Sequence, residues 1–149
     1  MTEADLGRIE AAIGSPLPAH YRDFLRDHSD TLRGTKARFP MMVVLQHDPE
    51  VLIRDNAPGS RPRMWVGEHL DWPEEFFRVG TNGGGDYWFV NLDSPRERVW
   101  LYASEGGCIV PPEFFSWDEY LEQLDDGVGL AEREASEAGG SEAAAPGTS

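Results

Sequence analysis

Several features are scarce in this sequence, and each scarcity excludes a class of protein. There is one cysteine in 149 residues, Cys108, so neither an internal disulfide nor a cysteine-built zinc site can form. A lone thiol also agrees with a reducing compartment. No apolar run approaches the roughly 20 residues that span a bilayer. The first residues, Met-Thr-Glu-Ala-Asp, are acidic and lack the basic-then-apolar order of a signal peptide, so the expected location is the cytoplasm. Basic residues are few: 13 Lys and Arg stand against 27 Asp and Glu, a net charge of −14. The surplus persists when the terminal stretch, with Glu132, Glu134, Glu137 and Glu142 against Arg133, is set aside. Nucleic acid binding needs a basic footprint to neutralise phosphate and is disfavoured. A basic protein partner is favoured and would be steered by this field.

Catalytic signatures are missing too. His20, His28, His47 and His69 are scattered without metal-ligand spacing. There is no G-x-S-x-G elbow, and Cys108 has no flanking signature of a nucleophile. Acidic pairs such as Glu74-Glu75 and Asp125-Asp126 follow from an acidic composition. The reading is of a protein that is not an enzyme and binds neither metal nor cofactor.

What is present centres on Val79 to Tyr102. Four glycines fall between Gly80 and Gly85, ahead of Asp86 and the run Tyr87-Trp88-Phe89-Val90-Asn91-Leu92. The polar connection Asp93-Ser94-Pro95 leads to a second apolar run, Val99-Trp100-Leu101-Tyr102. Two β-type runs around such a connection predict an antiparallel hairpin at the centre of a sheet. Trp88, Val90 and Leu92 should face one way, and Tyr87 and Phe89 the other, so both faces need cover by helices, loops or a partner. The glycines lack the Lys-Ser/Thr and the following helix of a phosphate loop. They read instead as a turn or a close backbone approach, with Asp86 accepting turn N–H groups.

Thr2 and Asp5 form a capping box for a helix over 3–13, with Leu6, Ile9 and Ile13 inward and Gly14 as the stop. Pro18 begins a second helix whose stripe is Tyr21, Phe24, Leu25 and His28. Residues 31–38 read as a polar, basic loop and Phe39 to Leu45 as a strand with Pro40 at its start. Asp48 and Pro49 open a short helix anchored by Val51 and Leu52. Met64 to Val66 form a small strand, and another ends near Val79. Ser116, with Glu119, caps a last helix over 117–125, carrying Trp117, Tyr120, Leu121 and Leu124. Beyond Gly127 only Val128 and Leu130 could pack. The domain is therefore expected over 1–127, and the acidic Gly/Ala/Ser/Glu stretch 128–149 as a disordered tail.

Five tryptophans are many for this length, and some must fill the core. Trp100 and Tyr102 alternate with Val99 and Leu101, so one pair is expected to face outward or be only partly covered. Large aromatics on a partly open sheet suit a protein interface.

The order of these signals resembles the SMI1/KNR4 domain of the SUKH superfamily. Leu17-Pro18-Ala19-His20-Tyr21-Arg22-Asp23-Phe24-Leu25 is similar to its L-P-x-x-Y-x-x-F-L. Trp72-Pro73, Val79-Gly80, Gly83-Gly84-Gly85-Asp86 and Val99 to Tyr102 follow in family order, and Phe115, Trp117, Tyr120 and Leu121 close the domain. Where many members carry an aspartate–histidine pair, this chain has Ala103-Ser104-Glu105, so the family's polar pair is not carried over to that edge. The resemblance implies an α+β fold: a single domain with a central antiparallel sheet flanked by N-terminal, middle and C-terminal helices. It implies an immunity protein that neutralises a cognate bacterial toxin by occluding its active or substrate-binding surface, and the acidic charge makes a basic toxin domain the expected partner. The alternative is a regulatory or scaffold domain in cell-wall or housekeeping regulation; a third reading, an enzyme using Asp86, has least support. The expected partner-binding residues are Trp72, Asn82, Asp86, Trp88, Trp100, Tyr102 and Glu105, on a monomer or weak dimer without nucleic acid or membrane.

Overall fold

The computed structural model describes residues 1–144, with side chains to residue 138. Thr2 opens α1 (Glu3–Ile13): its Oγ1 accepts the Asp5 N–H at 3.1 Å while Asp5 Oδ2 accepts the Thr2 N–H at 3.2 Å. The helix stops at Gly14, whose φ of 72° is the left-handed cap that glycine adopts without strain. Leu6 and Ile9 are buried.

Helix α2 (Ala19–Arg38) is longer than the sequence pattern suggests, because the stretch 31–38 expected as a loop is helical. Leu32, seven residues after Leu25, continues the buried stripe. The basic last turn, Lys36 and Arg38, suits the negative end of the helix dipole.

Phe39 to Leu45 is not a strand. It turns after α2 and then runs beside the sheet through a single bridge, Leu45 to Gly80. Two hydrogen bonds hold it there, Gln46 N–H to Val79 O at 2.8 Å and Thr81 N–H to Val44 O at 2.9 Å. Gly80 permits the approach, since a Cβ there would lie 2.3 Å from Val44 O. Helix α3 (Pro49–Asn56) starts as expected, with Asp48 Oδ1 accepting the Glu50 N–H at 2.9 Å. Its last residue, the buried Asn56, exchanges hydrogen bonds with the backbone N–H and C=O of Arg78, at 2.7 and 3.0 Å.

A short ribbon follows, β1 (Arg63–Trp65) paired with β2 (His69–Asp71). The main sheet is antiparallel, ordered β3 (Phe76–Thr81), β4 (Tyr87–Asn91), β5 (Trp100–Ala103), β6 (Cys108–Val110). The expected hairpin is β4–β5, and it lies at the centre of the sheet. Val90 packs in the larger core with Trp88 and Leu92 beside it; Phe89 and Tyr87 pack in a second core on the other face. α1, α2, α3 and the last helix contribute to the larger core, and the ribbon supplies Met64 to the second. Both faces are thus covered from within the chain, as a doubly apolar hairpin requires.

The closing helix α4 (Trp117–Ala144) also departs from expectation. Ser116 Oγ accepts the Glu119 N–H at 3.1 Å, and Trp117, Tyr120 and Leu124 are buried. The helix then runs beyond 125 to Ala144, so the stretch read as a disordered tail from 128 is helical to that point. Ala and Glu are strong helix formers, and Glu132 is tied to Arg38 of α2 at 2.7 Å. Residues 145–149 of the expected tail lie outside the described residues. The architecture is an α+β single domain, a central antiparallel sheet flanked by N-terminal, middle and C-terminal helices.

Candidate protein-binding surfaces

Asn82, Asp86 and Glu105 come together at one end of the sheet. The turn between β3 and β4 uses Gly83 and Gly85 at φ of 78° and 95°, conformations open to glycine. Asp86 Oδ1 accepts the backbone N–H and the hydroxyl of Ser104, at 2.9 and 3.1 Å, and Oδ2 accepts the Asn82 amide at 3.0 Å. The Ser104 backbone N–H, aided by the Asn82 and Ser104 side chains, holds the Asp86 carboxyl below the usual carboxylate range. A carboxylate so satisfied is a poor proton acceptor at neutral pH; it clamps the β3–β4 turn to the end of β5. Glu105 follows directly and is exposed.

Trp72 and Tyr102 also meet, but inside the protein. Each is only 4% exposed, and their rings stand edge to face with centroids 6.1 Å apart. The Trp72 indole donates to Phe76 O at 2.6 Å, and Tyr102 bonds to the backbone of Trp65. Both are core residues of the second cluster rather than accessible contacts, because the ribbon fills the face the sequence pattern left open. The remaining two stand apart. Trp88 is half-buried against the larger core on the opposite face. Trp100, opposite Phe89, is half-buried beneath the Arg98 guanidinium, which lies 4.3 Å from the ring centroid. Neither the Trp100/Tyr102 pair nor the Val99/Leu101 pair points outward as a set: Val99 and Tyr102 are buried, Trp100 and Leu101 half-buried. The seven expected contacts therefore do not make one continuous patch.

Other apolar side chains are more accessible: Met41 is 91% exposed, Phe115 60% and Trp65 47%. Arg98 lies between Trp100 and Phe115, 5.8 Å from the second ring. The adjacent Phe114-Phe115 carried the signal for one of these, since in extended chain only one of two neighbours can face the core. Trp65 had no such signal. Its backbone packs on Gly107, where a Cβ would meet Trp65 O at 2.0 Å, so the ribbon sits directly on the β5–β6 turn.

Charge is unevenly satisfied. Arg8, Arg22, Arg26, Arg33, Arg38, Arg54 and Arg63 are each engaged with carboxylates. Among the described residues the exposed Glu68, Glu74, Asp93, Glu97, Glu105, Glu113, Asp118, Glu122, Asp125, Asp126, Glu134 and Glu137 have no such cationic partner. Also among the described residues, no group of three or more His, Cys, Asp or Glu could hold a metal ion, and no helix is long and apolar enough to cross a membrane.

The family model described as SMI1 / KNR4 family (SUKH-1) matches residues 1–123. The chain belongs to the SMI1/KNR4 family. No curated protein and no solved structure matches it. The SMI1/KNR4 match covers every strand of both sheets and the first turns of α4, and stops before the helical extension. Membership agrees with a protein-binding domain.

Proposed function

We propose that this SMI1/KNR4-family chain is an immunity protein, which neutralises a basic toxin domain by lying over its active or substrate-binding surface. The observation that carries this reading is the charge imbalance on a family fold with no metal-holding cluster among its described residues. Seven arginines are engaged with acids, while twelve exposed carboxylates among the described residues have no cation paired with them, and the net charge is −14. Such a field accelerates encounter with a cationic surface and is screened over about 10 Å at 0.1 M salt. The chain's role is then occlusion, in the cytoplasm, without chemistry of its own. Expression of the full chain as bait, with capture at low and high salt, tests it. One stoichiometric basic partner, toxic when expressed alone and harmless beside this chain, is the expected result. A harmless partner, or capture indifferent to salt, overturns the toxin and electrostatic parts respectively.

A second reading, a regulatory scaffold, is supported by α4, whose helix continues to Ala144 beyond the family match. Deletion of residues 133–149 separates the two: an immunity protein keeps its partner, whereas a scaffold working through that helix loses it.

A further inference from the structure

Helices α2 and α4 face each other across an open groove of about 390 Å³, and every residue lining it belongs to one helix or the other. His28, Thr31 and Thr35 recur at helical spacing along the α2 side, and Leu121, Leu124 and Val128 do so along α4. The α2 side chains here are short: Leu32 turns inward and is fully buried, which leaves the two threonines opposite the apolar stripe of α4. Leu121 and Val128 are only half-buried, so part of their apolar surface is left to water. The Arg38–Glu132 ion pair, at 2.7 Å, ties the two helices together beyond the Thr35 and Val128 end.

Charge along the groove specifies what enters. Glu122 and Asp125 line it, both exposed and without a cationic partner among the described residues, and no Lys or Arg lines it. A second depression shares His28 and continues toward the start of α4. It is acidic too: the unpaired Glu97 and Asp118 line it with Asp23 and Asp27, which Arg26 holds, and again no Lys or Arg does. Helix walls have their backbone N–H and C=O groups bonded internally, so they offer no edge to an added strand. The occupant must satisfy its own backbone, as a helix does. An apolar floor flanked by carboxylates complements a helix with one apolar stripe and cations beside it. A second copy of this chain, also at −14, would bring like charge to the same carboxylates.

We propose that the α2–α4 groove is the docking site for an amphipathic, Lys- or Arg-rich helix of the protein partner. The inference rests on the proposed function above and deepens it, placing the contact at the helices of the larger core, on the side of the sheet away from the β1–β2 ribbon. The apolar stripe of the incoming helix packs on Leu121, Leu124 and Val128, as a third helix laid against two. Its cations meet Glu122 and Asp125, which fix its orientation.

The test uses the full chain and three synthetic peptides with blocked ends: three repeats of Lys-Leu-Lys-Lys-Leu-Leu-Lys, the same residues shuffled so that no helical stripe remains, and the first with Glu for every Lys. Binding is followed by the NMR methyl resonances of Leu121 and Val128. The striped Lys peptide should shift them saturably, with the shuffled peptide weaker by about tenfold and the Glu peptide silent. Glu122→Lys with Asp125→Lys should weaken the striped peptide by about tenfold or more. Glu68→Lys with Glu74→Lys changes the net charge equally at the ribbon, and should cost no more than about twofold. If the first double variant fails to fold, Thr31→Trp on the exposed face of α2 fills the groove and should weaken the peptide likewise, while Thr31→Ala leaves it unchanged. Equal weakening by the two double variants would assign binding to the overall field and overturn the proposal, as would equal binding of the striped and shuffled peptides. So would methyl shifts that grow with protein concentration alone, which would assign the groove to a second copy. A basic, toxic partner still captured by Glu122→Lys with Asp125→Lys leaves the function standing and removes the groove; peptide docking there when no toxic partner is captured does the reverse.

Discussion

The Tyr102 hydroxyl accepts the backbone N–H of Trp65 at 2.8 Å and lies 3.4 Å from the Trp65 carbonyl, joining the β1–β2 ribbon to a central strand of the sheet. This joint closes the second core and turns a residue with the look of an exposed interface aromatic into an internal one. Tyr102→Phe keeps the ring and removes both bonds. The expected loss is about 1–2 kcal/mol in urea unfolding, with faster amide exchange at Trp65 and little change at Val90. Unchanged exchange at Trp65 would mean the ribbon is held by packing alone.

Gly80 determines whether residues 43–46 can lie against β3. Gly80→Ala places a Cβ 2.3 Å from Val44 O and 2.9 Å from Val44 C, backbone atoms that cannot step aside singly. A loss of about 1–3 kcal/mol is expected from thermal or chemical unfolding. Gly84→Ala is the comparison: its nearest neighbour is the Asn82 side chain at 3.4 Å, and stability should hardly move.

His20 gives the fold a dependence on mildly acid pH. The Trp117 indole can only donate, and it donates to His20 Nδ1 at 3.0 Å, so that nitrogen carries no proton. Burial lowers the His20 pKa below its ordinary 6.5, against the opposing pull of Glu97 and Asp23. With the folded value below the unfolded one, the unfolded chain binds protons first as pH falls. The contribution is therefore full above about pH 6.5 and is lost as pH drops toward the folded pKa. His20→Phe should flatten the slope of stability between pH 7 and 5; an unaltered slope would move the dependence to another group.

Asp86 acts in the same sense at lower pH. Its folded pKa lies below the ordinary 3.8, so its contribution is present above that value and fades as pH falls through the folded one. Asp86→Asn should lower stability at pH 7, and the gap to the native chain should narrow below about pH 4. A gap independent of pH would assign the effect to shape rather than charge.

The Tyr120 hydroxyl is buried and makes no hydrogen bond among the described residues; the Val44 and Leu45 backbone lies near it without reaching bonding geometry. Burial pushes its ionisation up. Tyr120→Phe should leave stability unchanged or raise it by about 1 kcal/mol, since it removes a desolvated polar group without a partner. A loss of more than that amount in urea unfolding would reveal a bond to the hydroxyl.

Much of this fold is legible from short-range chemistry. The Thr2–Asp5 box, Gly14, the Asp48–Pro49 start and Ser116 each act within four residues, so their roles can be read locally. The central hairpin is legible for the same reason, because alternation along Tyr87 to Leu92 assigns each side chain a face. Helix ends far from a cap were less readable. Arg38 and Ala144 lie well past the last obvious stripe residues, where helix propensity is the local signal, and the Arg38–Glu132 contact joins positions 94 apart. Asn82, Asp86 and Glu105 were recognisable as polar residues around a turn, but their meeting required the β4–β5 pairing.

Composition and pattern by themselves determined the acidic field and the two-faced central hairpin, because these depend on residue type and spacing along the chain; the α+β class followed from the resemblance of the motif order to the SMI1/KNR4 family. Tertiary structure alone decided which aromatics are accessible. Trp72, Tyr102 and Trp65 have similar chemistry in the sequence, yet the first two are sealed and the third exposed. The reason is geometric: the β1–β2 ribbon folds over one face of the sheet and seats its backbone on Gly107, while the opposite face, at Trp88 and α4, keeps an open groove.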